Sequence, residues 1–382
     1  MENNISLLVG LKNNLDYNKH FYQTTRELYP EVEICFVSYG STDGTHEWLD
    51  SLNDSNVQNY YSEDQKTFSD TFNKAAELAT KEYVAYAHND MVLAPGFLEN
   101  IAKHIAPDHI VSYTTIEPPI FAGHERPGKI IRDFGIDLES FKLQGMYDFV
   151  TVNQKVSTGR TEPGITFFMC MPRKTLIEIG GMDNLYNPMF CEDDDLINRF
   201  KLQGFKTFTA LDAICYHFVS KTSRFSEEYQ SKTAQIELNS NRNYIRKWGS
   251  RSSTLKYDIG FVVKNCNHHL LEILEPWCSV LYVDCDYKDY ISKEQPNTKF
   301  NLKERIRPYG NEKQNYILID FDAISLTHNS FTLLQQLPDI IKESGEVGEF
   351  ELDIFKITIT NLETYEKELI KLDSPYYTNQ LL

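Results

Sequence analysis

Short apolar runs at Ile5–Leu11, 32–37 and 83–87 alternate with segments of helical character at 18–28, 47–52 and 68–80, and this alternation limits the fold more than any other feature. Each run has the length and hydrophobicity of a strand buried on both faces. Strands that alternate with helices pair in parallel, with the helices covering both faces of the sheet. Ligands of such sheets bind beyond the carboxyl ends of the strands. The loops expected there are 10–14, 38–45 and 88–90, all polar or glycine-containing.

Regularity then lapses. Residues 112–157 read as an irregular insert with Pro118-Pro119 and Gly123-His124-Glu125-Arg126-Pro127-Gly128, and long inserts of this kind are often binding loops. Within it, His124, Glu125, Arg126 and Lys129 read equally as ligand contacts or as a solvated turn. A strand at 165–171 and a helix at 174–179 follow, and then the run Glu192-Asp193-Asp194-Asp195 opens a helix whose apolar face is Leu196, Ile197, Phe200 and Leu202. Carboxylates in a first turn suit the positive end of the helix dipole, so Asp194 and Asp195 read as solvated or capping acids, and Arg199 as a structural partner of the run. A linker-like stretch at 247–253 precedes a second alternation, with strands at 259–263, 279–284, 316–320 and 350–359 and helices at 270–274, 331–343 and 363–372. The expected domains are therefore 1–250 and 251–382. The basic stretch Arg242, Arg246, Lys247, Arg251 and Lys256 reads as a contact to an anionic group, or as a helix end with its linker.

The chain has 382 residues, 41% of them hydrophobic and 13% aromatic, enough for two folded domains with real cores. Its formal charge of −17 opposes nonspecific binding to nucleic acid or to an anionic membrane. No apolar run approaches the roughly 18 residues of a membrane span. The first residues carry no basic region ahead of an apolar segment, so a cytoplasmic location is expected. Seven cysteines without a Cys-x-x-Cys pair imply reduced, buried thiols.

Three constellations carry the chemistry: Gly40-Ser41-Thr42-Asp43-Gly44-Thr45; His88-Asn89-Asp90 followed by Pro95-Gly96 and an apolar helix; and Gly180-Gly181-Met182-Asp183 with Glu192-Asp193, Arg199 and Tyr216-His217. In this order they resemble the family 2 glycosyltransferases of GT-A fold, over roughly residues 5 to 250. The resemblance implies an α/β GT-A domain, Rossmann-like, followed by a smaller α/β domain. It implies an inverting enzyme that moves a sugar from a nucleotide-diphosphate sugar, a UDP-sugar being favoured, to the hydroxyl of a glycan or other acceptor. Asp90 and His217 are the implied ligands of Mn²⁺ or Mg²⁺, Asp193 the implied base, and Glu192 the residue that orients the acceptor or the loop. Gly10, Lys12, Ser38, Gly40, Asp43, His88 and Asn89 are the implied donor-binding residues.

The chain departs from the family pattern in places. Ser38-Tyr39 stands where many relatives carry an acid that contacts uracil, which leaves uridine specificity open. Gly10-Leu11-Lys12-Asn13 replaces the usual Pro-x-Tyr-Asn, and Lys12 reads as a phosphate contact or a surface lysine. His88 occupies the first position of the Asp-x-Asp motif, and ribose contact, a third metal ligand and a solvent-facing side chain are all open to it. The C-terminal module has no phosphate-binding glycine loop, and acceptor recognition or homo-oligomer formation are its expected roles. His268-His269 beside Cys266 lacks zinc-ligand spacing. The competing reading is an inactive relative that binds glycans or scaffolds an assembly; the charge disfavours a nucleic-acid acceptor without excluding one.

Overall fold

The computed structural model describes residues 4–120, 123–157, 159, 161–219, 229–250 and 254–372. The chain divides into two compact units, 1–234 and 235–382. Among the described residues, no helix is long and apolar enough to cross a membrane.

The first unit runs β1 (Ile5–Leu11), α1 (Leu15–Leu28), β2 (Glu33–Tyr39), α2 (Thr45–Ser51), β3 (Val57–Ser62), α3 (Phe68–Leu78), β4 (Tyr83–His88), β5 (Met91–Leu93), α4 (Phe97–Ala102), β6 (His109–Glu117), β7 (Lys129–Ile131), α5 (Leu143–Val156), β8 (Thr161–Pro163), β9 (Met169–Pro172), α6 (Arg173–Glu178), α7 (Glu192–Leu202) and β10 (Lys206–His217). Its sheet has the order β3-β2-β1-β4-β9-β6-β10-β5, with β7 on β6 and β8 on β10. The half built from β3, β2, β1 and β4 is parallel, as the alternation requires. The other half is mixed, because β9 runs antiparallel between β4 and β6, and β5 runs antiparallel to β10. β1 is largely apolar because it is central, with Ile5, Leu7, Leu8 and Val9 fully buried and Ser6 donating to Glu33 at 2.6 Å.

The insert at 112–157 is more regular than its sequence suggests. It holds the end of β6, the short β7 and the four-turn α5. Only Met146 and Val150 of α5 are buried, one turn apart, so its apolar stripe is too narrow to mark a helix in the sequence. They pack with Val92, Ile116, Ile214, Tyr216 and Phe218. The strand expected at 165–171 shortens to Met169–Pro172, and Phe167 and Phe168 turn their rings onto His88. β3 was invisible in sequence because it is a polar, partly exposed edge.

The second unit contains α8 (Thr233–Trp248) from Gln235 onward, β11 (Ile259–Lys264), α9 (His268–Leu274), β12 (Val280–Val283), α10 (Lys288–Glu294), α11 (Leu302–Arg305), β13 (Ile306–Pro308), β14 (Ile317–Asp322), α12 (His328–Ser344), β15 (Gly348–Leu352) and β16 (Phe355–Ile359). The sheet order is β13-β12-β11-β14-β16-β15. The segment 350–359, expected as one strand, lies in a hairpin that turns at Asp353, whose φ of 53° is left-handed. The helix expected at 363–372 is a single 3-10 turn, Glu366–Leu369.

The basic stretch is consumed inside this unit. Glu275, fully buried, accepts from Arg246 Nη2 at 2.7 Å, from Arg305 Nε at 2.7 Å and from the Tyr290 hydroxyl at 2.9 Å. Arg242 pairs with Glu294 at 2.8 Å, and Lys256 donates to the Arg246 carbonyl at 2.8 Å. Arg251 lies outside the described residues. Burial opposes ionisation of Glu275, but Arg246 and Arg305 outweigh it and hold the carboxyl well below the usual carboxylate range. Its contribution to stability is therefore present above the ordinary carboxylate pKa and is lost as pH falls below it. Glu275→Ala removes the carboxylate from Arg305 and leaves Arg246 with Glu294 alone, and is expected to lower the unfolding free energy by about 3–5 kcal/mol at neutral pH. Urea unfolding followed by tryptophan fluorescence checks this, and the deficit should shrink on acidification.

Candidate active site

The sheet register gathers the expected residues at one end. Parallel pairing of β1 with β4 sets Gly10 beside His88, and pairing of β1 with β2 sets Leu11 beside Ser38. Antiparallel pairing of β5 with β10 sets His217 opposite Met91. The Phe218 amide donates to the Asp90 carbonyl at 2.9 Å, so Asp90 and His217 are neighbours although distant in sequence. Alternation along β10 sends Ile214, Tyr216 and Phe218 into the core under α5, while Ala213 and Cys215 face the other core and His217 ends that face.

His217 Nε2 lies 3.4 Å from Asp90 Oδ1, and His88 Nδ1 lies 3.8 Å from the same oxygen. One donor atom from each of the three residues falls within 4.8 Å of the others. Asp90 and His217 are buried and His88 is partly exposed. Among the described residues, Nε2 of His88 and Nε2 of His217 make no hydrogen bond. Two imidazoles with available nitrogens converging on one carboxylate form a donor set that fits a divalent transition-metal cation.

A second carboxylate that the sequence reading missed supports this group. Glu117 ends β6 and reaches His217 Nδ1 with Oε1 at 3.5 Å, and Lys129 Nζ with Oε2 at 2.7 Å. Burial alone would raise the Glu117 carboxyl, but His217 and Lys129 bring it down to about 2. Burial likewise works against a charged His217, yet the carboxylates of Asp90 and Glu117 push it up to about 9. His88 is driven the other way, to about 4, by burial first and by His217 second, against the pull of Asp90. The signal that could have found Glu117 is an acid closing the β-branched and aromatic run 110–116, on a strand parallel to the one that carries His217.

Gly10, Lys12, His88 and Asn89 line a common cleft with Tyr39 and Phe68. A side chain at Gly10 would bring its Cβ within 3.0 Å of Thr71 Cγ2, so glycine keeps this wall open. Lys12 donates from Nζ to the Gly40 carbonyl at 2.9 Å, the Tyr39 carbonyl at 3.2 Å and Gln65 Oε1 at 2.5 Å. Asn89 is buried and donates to Asn18 at 2.6 Å. Ser38 and Asp43 build the adjoining loop instead. Ser38 is fully buried against Ser41 Oγ at 2.8 Å and His46 Nε2 at 3.1 Å, while Asp43 accepts from the amides of Leu15 and Thr45. Gly40 holds a left-handed φ of 60° in the same loop.

The segment that leads into the acidic helix is pinned to α3. Asn73 donates to the Met182 carbonyl at 2.9 Å and accepts from the Met182 amide at 2.7 Å, and Asn184 donates to Asp70 at 2.8 Å. Gly181 permits this approach, with φ of 71° and no room for a Cβ beside Asn73. Pro188 and Met189 then line the same cleft as Lys12 and His88, and α7 begins at Glu192. Burial, with Asp193 next in weight, raises the Glu192 carboxyl well above its usual range. Asp193 is half-buried. Asp195 is not a solvated acid: it is fully buried, 2.7 Å from Arg199 Nε and 3.1 Å from the Tyr186 hydroxyl. Arg199 also donates to the carbonyls of Ile179 and Gly181, the structural role expected of it.

Residues 6–177 match the family model "Glycosyl transferase family 2". The first unit carries a glycosyl transferase family 2 domain. The match takes in Gly10, Lys12, His88, Asn89 and Asp90, and ends ahead of Pro188, Met189, Glu192, Asp193 and His217. The family 2 domain has the expected fold class, an α/β GT-A-type sheet followed in the chain by a smaller α/β unit. No curated protein matches the chain. Similar solved structures include the mannosyltransferase PcManGT from Pyrobaculum calidifontis in complex with GDP-Man and Mn²⁺, at 17% identity, 64% of each chain covered and a TM-score of 0.42. GalNAc-T7 with UDP, GalNAc and Mn²⁺ is similar at 12% identity, with 65% of this chain and 48% of that chain covered and a TM-score of 0.47. TarS 1-349 from S. aureus is similar at 14% identity, with 63% of this chain and 71% of that chain covered and a TM-score of 0.39. The chain thus spans 64% and 48% of the first two of these proteins.

Asn73→Ala removes both bonds to Met182 and is expected to cost about 1–3 kcal/mol. Hydrogen exchange should quicken at the Met182 amide and through 183–190, with the amides of β1 and β4 unchanged.

Proposed function

We propose that the protein is a metal-dependent inverting glycosyltransferase that moves a sugar from a nucleotide-diphosphate sugar to an acceptor hydroxyl. The observation that carries this reading is the β5–β10 register, which sets Asp90 beside His217, next in the chain to His88 and Asn89 of the cleft. Asp90 and His217 would hold Mn²⁺ or Mg²⁺, and Glu117 orients the His217 ring so that Nε2 faces the carboxylate. When bound, the cation neutralises charge on the diphosphate oxygens as a Lewis acid. Lys12, Gly10 and Asn89 form the wall against which the donor rests, and Lys12 adds positive charge there.

The acceptor hydroxyl must lose its proton as it attacks the anomeric carbon opposite the leaving diphosphate, and Asp193 takes that proton. Burial and the charge of Asp193 raise the Glu192 carboxyl well above its usual range, which favours its protonated form, so Glu192 is assigned to shaping the loop and not to taking the proton. A single base and no protein nucleophile fit one displacement with inversion. The donor is a nucleotide sugar, with UDP-sugars the first to try although Ser38 is turned into the loop. The acceptor is a glycan or another hydroxyl compound. The second unit serves as an accessory module for acceptor recognition.

A panel of nucleotide sugars with Mn²⁺ tests the activity. Asp193→Asn is expected to lower turnover by about 10²–10⁴-fold while nucleotide binding persists, since a positioned base contributes roughly that factor. Unchanged turnover would remove Asp193 from the role of base.

A further inference from the structure

We infer that His88 is a third protein ligand of the cation, so that the chain holds the metal before any nucleotide arrives. This rests on the reading that the site beside Asp90 takes a divalent cation. His88 ends β4 and Asp90 precedes β5, so one tight turn carries both, and the β5–β10 pairing brings His217 to them from a third strand. The three donors converge within 4.8 Å, and Asp90 Oδ1 is the shared neighbour of both rings.

The His88 ring is held there by packing. Phe167 and Phe168 lie 4.9 and 5.1 Å from it, centroid to centroid, Phe68 meets it edge-on at 5.9 Å, and the His217 ring is 5.6 Å away. These rings fix the orientation of the imidazole by packing, with Nδ1 turned toward Asp90 Oδ1 at 3.8 Å. A histidine that faced solvent would not need this enclosure. A ligand is positioned in this way, with its orientation set by neighbours that leave the donor atom available.

The consequence is a metal site of unlike composition to a pair of carboxylates. Two imidazoles and one carboxylate are three protein donors, about half of an octahedral shell, so the cation does not need diphosphate oxygens to stay bound. Imidazole suits Mn²⁺ and the later divalent metals, whereas Mg²⁺ prefers oxygen and retains its waters. The site should therefore take Mn²⁺ in preference to Mg²⁺.

The test is Mn²⁺ alone added to the nucleotide-free full chain, with bound ion read by electron paramagnetic resonance and nitrogen ligands counted by pulsed measurement. One Mn²⁺ should bind with two histidine nitrogens coupled to it, and excess Mg²⁺ should displace it poorly. His88→Phe preserves the ring packing and removes the donors; affinity should fall at least about tenfold, the lower end of the cost of losing even an outer-shell partner, and one nitrogen coupling should vanish. Binding that requires added uridine or guanosine diphosphate, or a wild-type spectrum with a single nitrogen, overturns the inference even if His88→Phe fails to fold. Absence of Mn²⁺ binding with and without those nucleotides would instead defeat the metal reading itself.

Discussion

Everything at the site depends on three residues of antiparallel pairing. β5 is as short as a strand can be, yet it is bracketed by the Ala94 amide on the Ile214 carbonyl at 3.2 Å and the Phe218 amide on the Asp90 carbonyl at 2.9 Å. A slip of one residue would exchange the two faces of the strand. His217 would then point into the core occupied by Tyr216 and Phe218, and Asp90 would lose its partner. The large buried side chains on β10 and their contacts with α5 make that slip costly. A helix that touches no expected site residue thus decides where the metal-binding residues meet.

Charge follows the same logic in both units. The chain is strongly acidic, and three of its buried acids sit in charge networks: Asp195 with Arg199 and Tyr186, Glu117 with His217 and Lys129, and Glu275 with Arg246 and Arg305. Buried carboxylates are tolerable on these terms, because breaking one partner leaves the other charge unpaired in a medium that cannot solvate it. Glu192 has acids for neighbours, and burial with the charge of Asp193 raises its carboxyl well above the usual range.

The sequence made the site legible wherever chemistry and periodicity coincide. Strands β1, β2 and β4 are apolar because they are central, and the polar loops at their ends are visible by contrast. Asp90, His217 and Asp193 could be named because the resemblance places them in order. Glu117 could not, since its role exists only through the β6–β10 register, which no local pattern encodes. Ser38 and Asp43 were legible as loop residues, but not that their side chains would serve the loop's own hydrogen bonds. The hairpin at Asp353 and the narrow stripe of α5 were missed for one reason: a single left-handed residue, or two buried side chains, leaves too faint a trace in composition. Arg242 and Arg246 looked like an anion site because Glu275 and Glu294, which consume them, lie far along the chain.

The central claim is that Asp90 and His217 form a cation site that serves a nucleotide diphosphate. Anomalous diffraction at the manganese edge, from crystals of the full chain grown with Mn²⁺ and a nucleoside diphosphate, addresses it most directly. The account predicts one strong peak within coordination distance of Asp90 and His217, with diphosphate density on its cleft side. A peak elsewhere, or diphosphate density away from the cleft of Gly10, Lys12 and Asn89, would contradict it.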